Sequence, residues 1–216
     1  MIHQKDSRKE IIIFTRYPEP GTTKTRLIPE LGANGAAQLQ RTMTEQIVHV
    51  ANQLKCENNI HPAVYFTGGT HHQMKEWLGT SLSYYKQKGN GLGERMMHAF
   101  EDSWKREINH TVLIGSDCPA IDGNVITEAM QSLNSSQLVL GPSTDGGYYL
   151  IGTTKDIPLN TLSLLLTDIP WGYTDVFRTT LDRARNLGVT FSLLKELNDI
   201  DLPRDLAYFN YHPNPQ

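Results

Sequence analysis

Short runs dense in Val, Ile, Leu and Tyr recur along this chain, and most are separated by longer stretches with helical patterning. The runs fall at residues 11–15, 63–67, 82–86, 111–115, 138–141, 148–152 and 189–193. Apolar content that is continuous rather than alternating marks strands buried on both faces, as in a parallel or mixed sheet. Between the first two runs, Leu39, Met43, Ile47, Val50 and Leu54 follow one another at spacings of four, four, three and four, which places them on one helix face. Further helices are expected over 92–106, 125–133, 175–187 and 203–210. The alternation predicts an α/β chain folded as a three-layer α/β/α sandwich, in which ligands gather at the carboxyl ends of strands.

A chain of 216 residues is long enough for one substantial core, so residues 1–216 are expected to form a single domain. With 38% hydrophobic and 20% charged residues it has the composition of a folded soluble protein. A net charge of −3 speaks against a duplex-nucleic-acid binder, whose footprint is a basic stripe, so anionic ligands must be met by local cations. Cys56 and Cys118 are far apart and form no C-x-x-C pair, which suits a reducing cytoplasm. The polar residues 1–10 run into Ile11-Ile12-Ile13-Phe14, too short a run for a signal sequence. No stretch approaches the ~20 apolar residues of a membrane span. The tail 212–216 is expected to fray.

Three separated segments carry chemistry: Pro20-Gly21-Thr22-Thr23-Lys24-Thr25-Arg26-Leu27 after the first run, Gly115-Ser116-Asp117-Cys118-Pro119 after the fourth, and Asp199-Ile200-Asp201 near the end. A glycine-containing loop leaving a strand lets backbone N–H groups approach an anion, Lys24 and Arg26 add positive charge, and a divalent ion held by acids would bridge phosphate oxygens. The loop is no Walker A motif, because Thr23 rather than Gly precedes Lys24 and Pro18 stands at the first glycine position. Lys24 and Arg26 are equally readable as surface cations. Asp117, at a strand end ahead of Pro119, is a metal candidate or a turn or capping aspartate. Asp201 is a helix N-cap or a metal ligand, and is preferred to Asp199 for the latter role. Cys118 reads as a small buried residue.

Two glycine-rich patches remain. Asn90-Gly91-Leu92-Gly93-Glu94-Arg95-Met96 lacks the third glycine of a dinucleotide fingerprint; it is a loop-to-helix junction or a place where backbone touches a flat base, with Arg95 available for phosphate. Asp145-Gly146-Gly147 is a hairpin turn, or an acceptor site where Asp145 binds hydroxyls or serves as base. The eight histidines form no H-E-x-x-H, and His71-His72 decorates or caps a helix in a stretch, 68–79, read as a pocket-shaping loop together with 173–175. No G-x-S-x-G elbow is present, so the chain lacks the nucleophile of a Ser-His-Asp hydrolase.

In order, 14–27 with its P-x-x-G-x-x-K-T-R-L pattern, 91–96, 114–119, 141–152 and 199–206 resemble the GT-A-like bacterial proteins labelled arsenosugar-biosynthesis-type glycosyltransferases. These are relatives of the molybdenum-cofactor and phospholactate guanylyltransferases. The resemblance implies a Rossmann-like GT-A fold with a mostly parallel mixed sheet and one reversed strand. It also implies a nucleotide site built from Thr15, Pro18, Gly21, Lys24, Arg26, Leu92, Gly93 and Arg95, and Mg2+ or Mn2+ between Asp117 and Asp201. Gly91 stands where members often carry Asp, and Leu202 and Arg204 replace the usual Thr and Glu of the last segment.

These readings lead to glycosyl transfer from a nucleotide-sugar donor to a small-molecule acceptor, with Asp117, Asp145 and Lys24 as catalytic residues. Nucleotidyl transfer from a nucleoside triphosphate to a phosphorylated acceptor, in the manner of a guanylyl- or cytidylyltransferase, is the alternative. A nucleotide-binding protein without turnover is the third.

Overall fold

The computed structural model describes residues 8–172 and 174–209. Seven strands form one sheet: β1 (Lys9–Arg16), β2 (Ile60–Thr67), β3 (Ser83–Lys86), β4 (His110–Gly115), β5 (Leu138–Pro142), β6 (Tyr148–Thr154) and β7 (Phe191–Leu193), in the order β3-β2-β1-β4-β6-β5-β7. Only β6 is reversed, antiparallel to both β4 and β5, while the remaining pairs are parallel. The sheet is therefore mixed and mostly parallel, and all seven anticipated runs are strands.

Burial on both faces explains the apolar runs. Along β1, Ile11 and Ile13 face one way and meet Ile47 and Val48 of α1 (Ile28–Asn58), Met74 of α2 (His71–Leu78) and Val125 of α4 (Gly123–Ser132). Ile12 and Phe14 face the other and meet Phe100 of α3 (Leu92–Lys105), Leu162 of α5 (Leu159–Leu166) and Ala184 of α6 (Val176–Asn186). Each fully buried Ile contributes roughly 1.5–3 kcal/mol relative to exposure, so β1 supports both cores at once. A smaller third cluster joins Leu27, Leu39, Met43 and Ile200. It ties the loop after β1 and the C-terminal segment to α1, and so fixes two of the three motif segments relative to each other.

Some elements depart from the sequence reading. Residues 68–79 are not a loop: α2 occupies most of the stretch, started by a capping box in which Thr70 Oγ1 accepts from Gln73 N and Gln73 Oε1 accepts from Thr70 N. α5 follows Pro158 and was not anticipated. α1 starts well before Leu39 and kinks at Gly32, whose φ of 68° only glycine adopts at little cost. The final helix is a 3-10 turn, Pro203–Tyr208. Its expected end at Asn210, the tail 212–216, and Tyr173 lie outside the described residues. Among those residues no helix is long and apolar enough to cross a membrane.

From β1 the chain winds outward through β2 to β3, whereas β4 lies on the other side of β1. The crevice at the carboxyl ends of β1 and β4 is thus a switch point of the winding, the place where open α/β sheets bind ligands.

Candidate active site

The loop after β1 is pinned by Thr23. Its buried hydroxyl donates to Tyr17 O at 3.1 Å and accepts from Glu19 N at 3.2 Å. Lys24 then takes a left-handed conformation, φ 50°, which turns its side chain inward. Lys24 Nζ donates to Ile200 O at 2.6 Å and Asp201 Oδ1 at 2.7 Å, and lies 2.9 Å from Asp117 Oδ1. Burial lowers the pKa of this ammonium, but the two carboxylates together outweigh burial and hold it above the ordinary lysine value of 10.5. Arg26 remains exposed, 3.9 Å from Asp201 Oδ2. Gly21, at φ 82°, is an exposed turn residue, and Pro18 is buried.

Both acids are free of the capping duties that offered the plainer reading. Helix α4 is capped by Asp122, whose Oδ1 accepts from Val125 N at 2.9 Å, leaving Asp117 uncommitted. The C-terminal turn is closed by Asp205, whose Oδ2 accepts from Asp201 N at 3.1 Å and Leu202 N at 2.7 Å, leaving the Asp201 carboxylate free for Lys24. Ile200 N donates to Asp117 O at 2.9 Å and joins the two acidic segments through the backbone.

Beneath them lies a buried polar net. Gln40 Nε2 donates to Ser116 Oγ at 2.7 Å and Thr44 Oγ1 at 3.2 Å, Ser116 Oγ donates to Thr15 Oγ1 at 3.2 Å, and Thr15 and Thr44 share a 2.9 Å hydroxyl bond. Thr15 therefore serves the crevice from underneath.

A cavity of about 370 Å³ opens beside these residues. Its charged lining is Arg16, Asp117, Asp145 and Asp199. Asp145 sits in the β5–β6 hairpin, where its Oδ1 accepts from Ser143 Oγ at 2.5 Å and Gly147 N at 2.8 Å. It is thus a turn residue and a cavity wall at once. Asp199 is pushed up to about 6, first by burial and then by the negative charge of Asp145, Asp201 and Asp117.

Leu92 is exposed on the cavity wall, whereas Gly93 is turned from it. A Cβ on Gly93 would stand 1.9 Å from Leu166 O, so this glycine serves the packing of α3 on α5. Arg95 Nε donates to Gly89 O at 3.2 Å and closes its own loop. Cys118 is buried and its thiol is pushed up to about 12 mainly by burial, so it is inert as a nucleophile.

Sequence reasoning passes over Gln40 and Gln87, and weighs Asp199 only as the less preferred alternative to Asp201. Gln87 lines the cavity and donates through Nε2 to Tyr65 O at 3.0 Å and Thr15 O at 3.4 Å. For Asp199 a signal existed, because residues two apart in an extended segment share a side.

The acids fit a divalent ion of one kind. Among the described residues no group of three or more His, Cys, Asp or Glu side chains forms a cage. Mg2+ needs none when one or two carboxylates share it with substrate phosphates and water. Asp117 Oδ1 is buried and, although close to Lys24, receives no well-aligned hydrogen bond, which leaves it the oxygen most in need of a cation.

The fold recurs among solved transferases. A Desulfovibrio desulfuricans G20 protein, provisionally named a nucleotide-diphospho-sugar transferase, is 32% identical, with 93% of this chain and 85% of that one covered and a TM-score of 0.85. The inositol-1-phosphate CTP transferase of T. maritima is 14% identical, with 93% and 91% covered and a TM-score of 0.56. Glucosyl-3-phosphoglycerate synthase of Mycobacterium tuberculosis, crystallised with Mn2+, UDP and glucosyl-3-phosphoglycerate, is 13% identical, with 93% and 75% covered and a TM-score of 0.57. No curated protein matches the sequence. The profile of one family spans more than half the chain, residues 49–173, and takes in both Asp117 and Asp145; the chain belongs to that family, described as "Uncharacterized protein conserved in bacteria (DUF2064)".

Proposed function

We propose that this chain is a metal-dependent glycosyltransferase that uses a nucleotide-diphospho-sugar donor, of the kind its resemblance to arsenosugar-biosynthesis-type glycosyltransferases implies. The observation that carries the reading is the convergence of Asp117, Asp201 and Lys24 at the switch point of the sheet, beside a cavity walled by Asp145 and Asp199. The 32% identity to the Desulfovibrio protein supports the donor class. The M. tuberculosis enzyme, crystallised with Mn2+ and UDP, supports the cofactor.

Asp117 and Asp201 would hold Mg2+ or Mn2+, which when bound supplies positive charge to the departing diphosphate. Lys24 and Arg26 meet the phosphates. Asp145 anchors itself through Oδ1 and keeps Oδ2 without a donor among the described residues, available to take the proton of an acceptor hydroxyl. Gln40 and Ser116 hold the loop that carries Asp117. Free Cys56 and Cys118 suit work in the cytoplasm.

The cavity also bears on the choice between glycosyl and nucleotidyl transfer. Three carboxylates and one arginine line it, so an acceptor phosphate would meet mostly like charge. A neutral hydroxyl acceptor suits that lining, and it is what glycosyl transfer requires. A thermal-shift screen of nucleotides and nucleotide sugars with and without Mn2+ tests the reading, because a ligand that binds the native state raises Tm. The expected hit is a nucleotide sugar that binds with Mn2+ and releases nucleoside diphosphate on turnover. Pyrophosphate released from GTP or CTP would establish nucleotidyl transfer instead, and binding without consumption would establish a non-catalytic protein.

A further inference from the structure

Lys24 has two duties that one ammonium group cannot perform together. It has three N–H bonds to give. Two are given to Ile200 O at 2.6 Å and Asp201 Oδ1 at 2.7 Å, and Asp117 Oδ1 pairs with the same ammonium at 2.9 Å without a well-aligned hydrogen bond. The side chain is only 6% exposed, so the ammonium is shut away from a phosphate in the cavity while it stays between these acids. The two carboxylates it occupies are the pair that would hold the divalent ion. An ammonium seated at Oδ1 of both acids and a divalent ion held by the same two carboxylates repel one another as like charges at short range.

We infer that Lys24 is an exchangeable counter-cation. Building on the function proposed above, it clasps Asp117 and Asp201 together before the divalent ion arrives, and the ion expels it toward the donor phosphates. The backbone favours such a poised state. Lys24 is held at φ 50°, a conformation that a residue with a Cβ keeps only when its surroundings enforce it. On one side the enforcement is the Thr23 clamp on Tyr17 and Glu19; on the other it is the acid pair itself. The four-carbon stem can swing without main-chain change. Metal binding then creates the phosphate site by releasing its lysine, and metal and nucleotide must favour each other reciprocally. Lys24 acts here as a positioning residue as well as a phosphate ligand.

Two measurements test this, both with Mn2+ as the probe. The first is free Mn2+ followed by electron paramagnetic resonance during titration of the wild type, Lys24→Met and Arg26→Met. Where the competent state is a minor one, removing its competitor raises apparent affinity by the inverse of its population, so Lys24→Met should bind Mn2+ about tenfold more tightly. The exposed Arg26 is a control for bulk charge and should change affinity by less than about twofold. Equal affinities in wild type and Lys24→Met, or equal gains in both variants, would overturn the inference.

The second uses only the wild type, and so decides the matter even if Lys24→Met fails to fold. Reductive methylation of Lys24, read by peptide mass spectrometry, should be slow without metal and several-fold faster with Mn2+ bound. Mn2+ that binds while Lys24 stays protected would put the ion on Asp117 and Asp199 and overturn the exchange while leaving the proposed function intact. If no form binds Mn2+, with or without UDP, the metal-dependent function falls and the inference falls with it.

Discussion

The molecule buries ion pairs at both ends of β1, and the two are built differently. At the amino end, Glu10 is paired with Arg106 Nη2 through both carboxylate oxygens, at 2.7 and 2.9 Å, and the Tyr65 hydroxyl accepts from the same guanidinium at 3.4 Å. One acid meets one base, and the arginine pKa rises because, against the cost of burial, Glu10 and Tyr65 favour its charged form. At the carboxyl end, one buried base, Lys24, is shared by Asp117 and Asp201, two further acids, Asp145 and Asp199, stand on the wall of the adjoining cavity, and two chain neighbours of the pair, Ser116 and Ile200, are buried beneath it. A balanced pair needs nothing more and serves the fold. An unbalanced cluster beside a cavity has been left short of positive charge, which is the condition a substrate-borne or metal cation corrects.

The widest separation between the two ends should appear in turnover. Asp117→Asn keeps the shape of the side chain and removes its charge, so release of nucleoside diphosphate from the donor should fall on the order of 10²–10³-fold, the scale of losing one electrostatic stabiliser. Glu10→Ala should leave kcat nearly unchanged. If both variants retained wild-type turnover, the asymmetry would carry no chemistry.

Stability should reverse the order. Glu10→Ala strands the Arg106 guanidinium, which is 31% exposed, with no carboxylate partner, leaving it the Tyr65 hydroxyl and the face of the Tyr85 ring, 4.8 Å from its Cζ. Chemical denaturation should show a loss of about 2–3 kcal/mol, below the upper range for a fully buried pair. The nucleotide-induced rise in Tm should survive in the variant.

Much of this contrast can be read in the sequence, though not all. The strands are legible because burial on both faces leaves dense runs such as Ile11-Ile12-Ile13-Phe14. Lys24, Asp117 and Asp145 stand out because each follows a strand closely enough to reach its carboxyl end. Helix α2 is hidden because it buries a single residue, Met74, and so carries almost no apolar periodicity. The short α5 is hidden for the opposite reason: Leu162, Leu165 and Leu166 are buried while Leu159 and Leu164 are exposed, so its leucines mark no single face. Gly93 misleads because a glycine needed against Leu166 O looks the same in sequence as one needed against a ligand. The clasp of Lys24 on both acids depends on one left-handed φ and on the Ile200-to-Asp117 backbone bond, and neither has a residue-type signature.

A pH profile sharpens the comparison further. Asp199, ordinarily near 3.8, titrates at about 6 in the folded chain. Below 3.8 both states carry its proton; between 3.8 and about 6 the native state keeps a proton that the unfolded state has lost. Over that window stability must fall as pH rises, and above it the loss is constant. The full shift corresponds to about 3 kcal/mol, and solvent around this half-buried carboxyl reduces it to about 1–2 kcal/mol. Asp199→Asn should remove the slope and be the more stable protein at pH 8. A variant whose denaturation profile keeps the wild-type slope would assign the titration to another group.

The smallest expected effect concerns Arg26, the exposed member of the cluster. Its side chain is 67% exposed and approaches Asp201 only at 3.9 Å, so it adds little to the native state. Arg26→Ala should shift unfolding by less than about 0.5 kcal/mol, as exposed pairs do. Its charge nonetheless lies beside the proposed phosphate position, where attraction acts over a distance and is screened by salt. Donor affinity should therefore fall about threefold at low ionic strength, and the gap from wild type should close as salt reaches a Debye length of about 8 Å. A deficit that persists unchanged in high salt would mean that Arg26 makes a direct contact and belongs with Lys24 in the buried half of the site. A deficit absent at every ionic strength would remove Arg26 from the phosphate cradle and leave Lys24 as the site's cation for the donor.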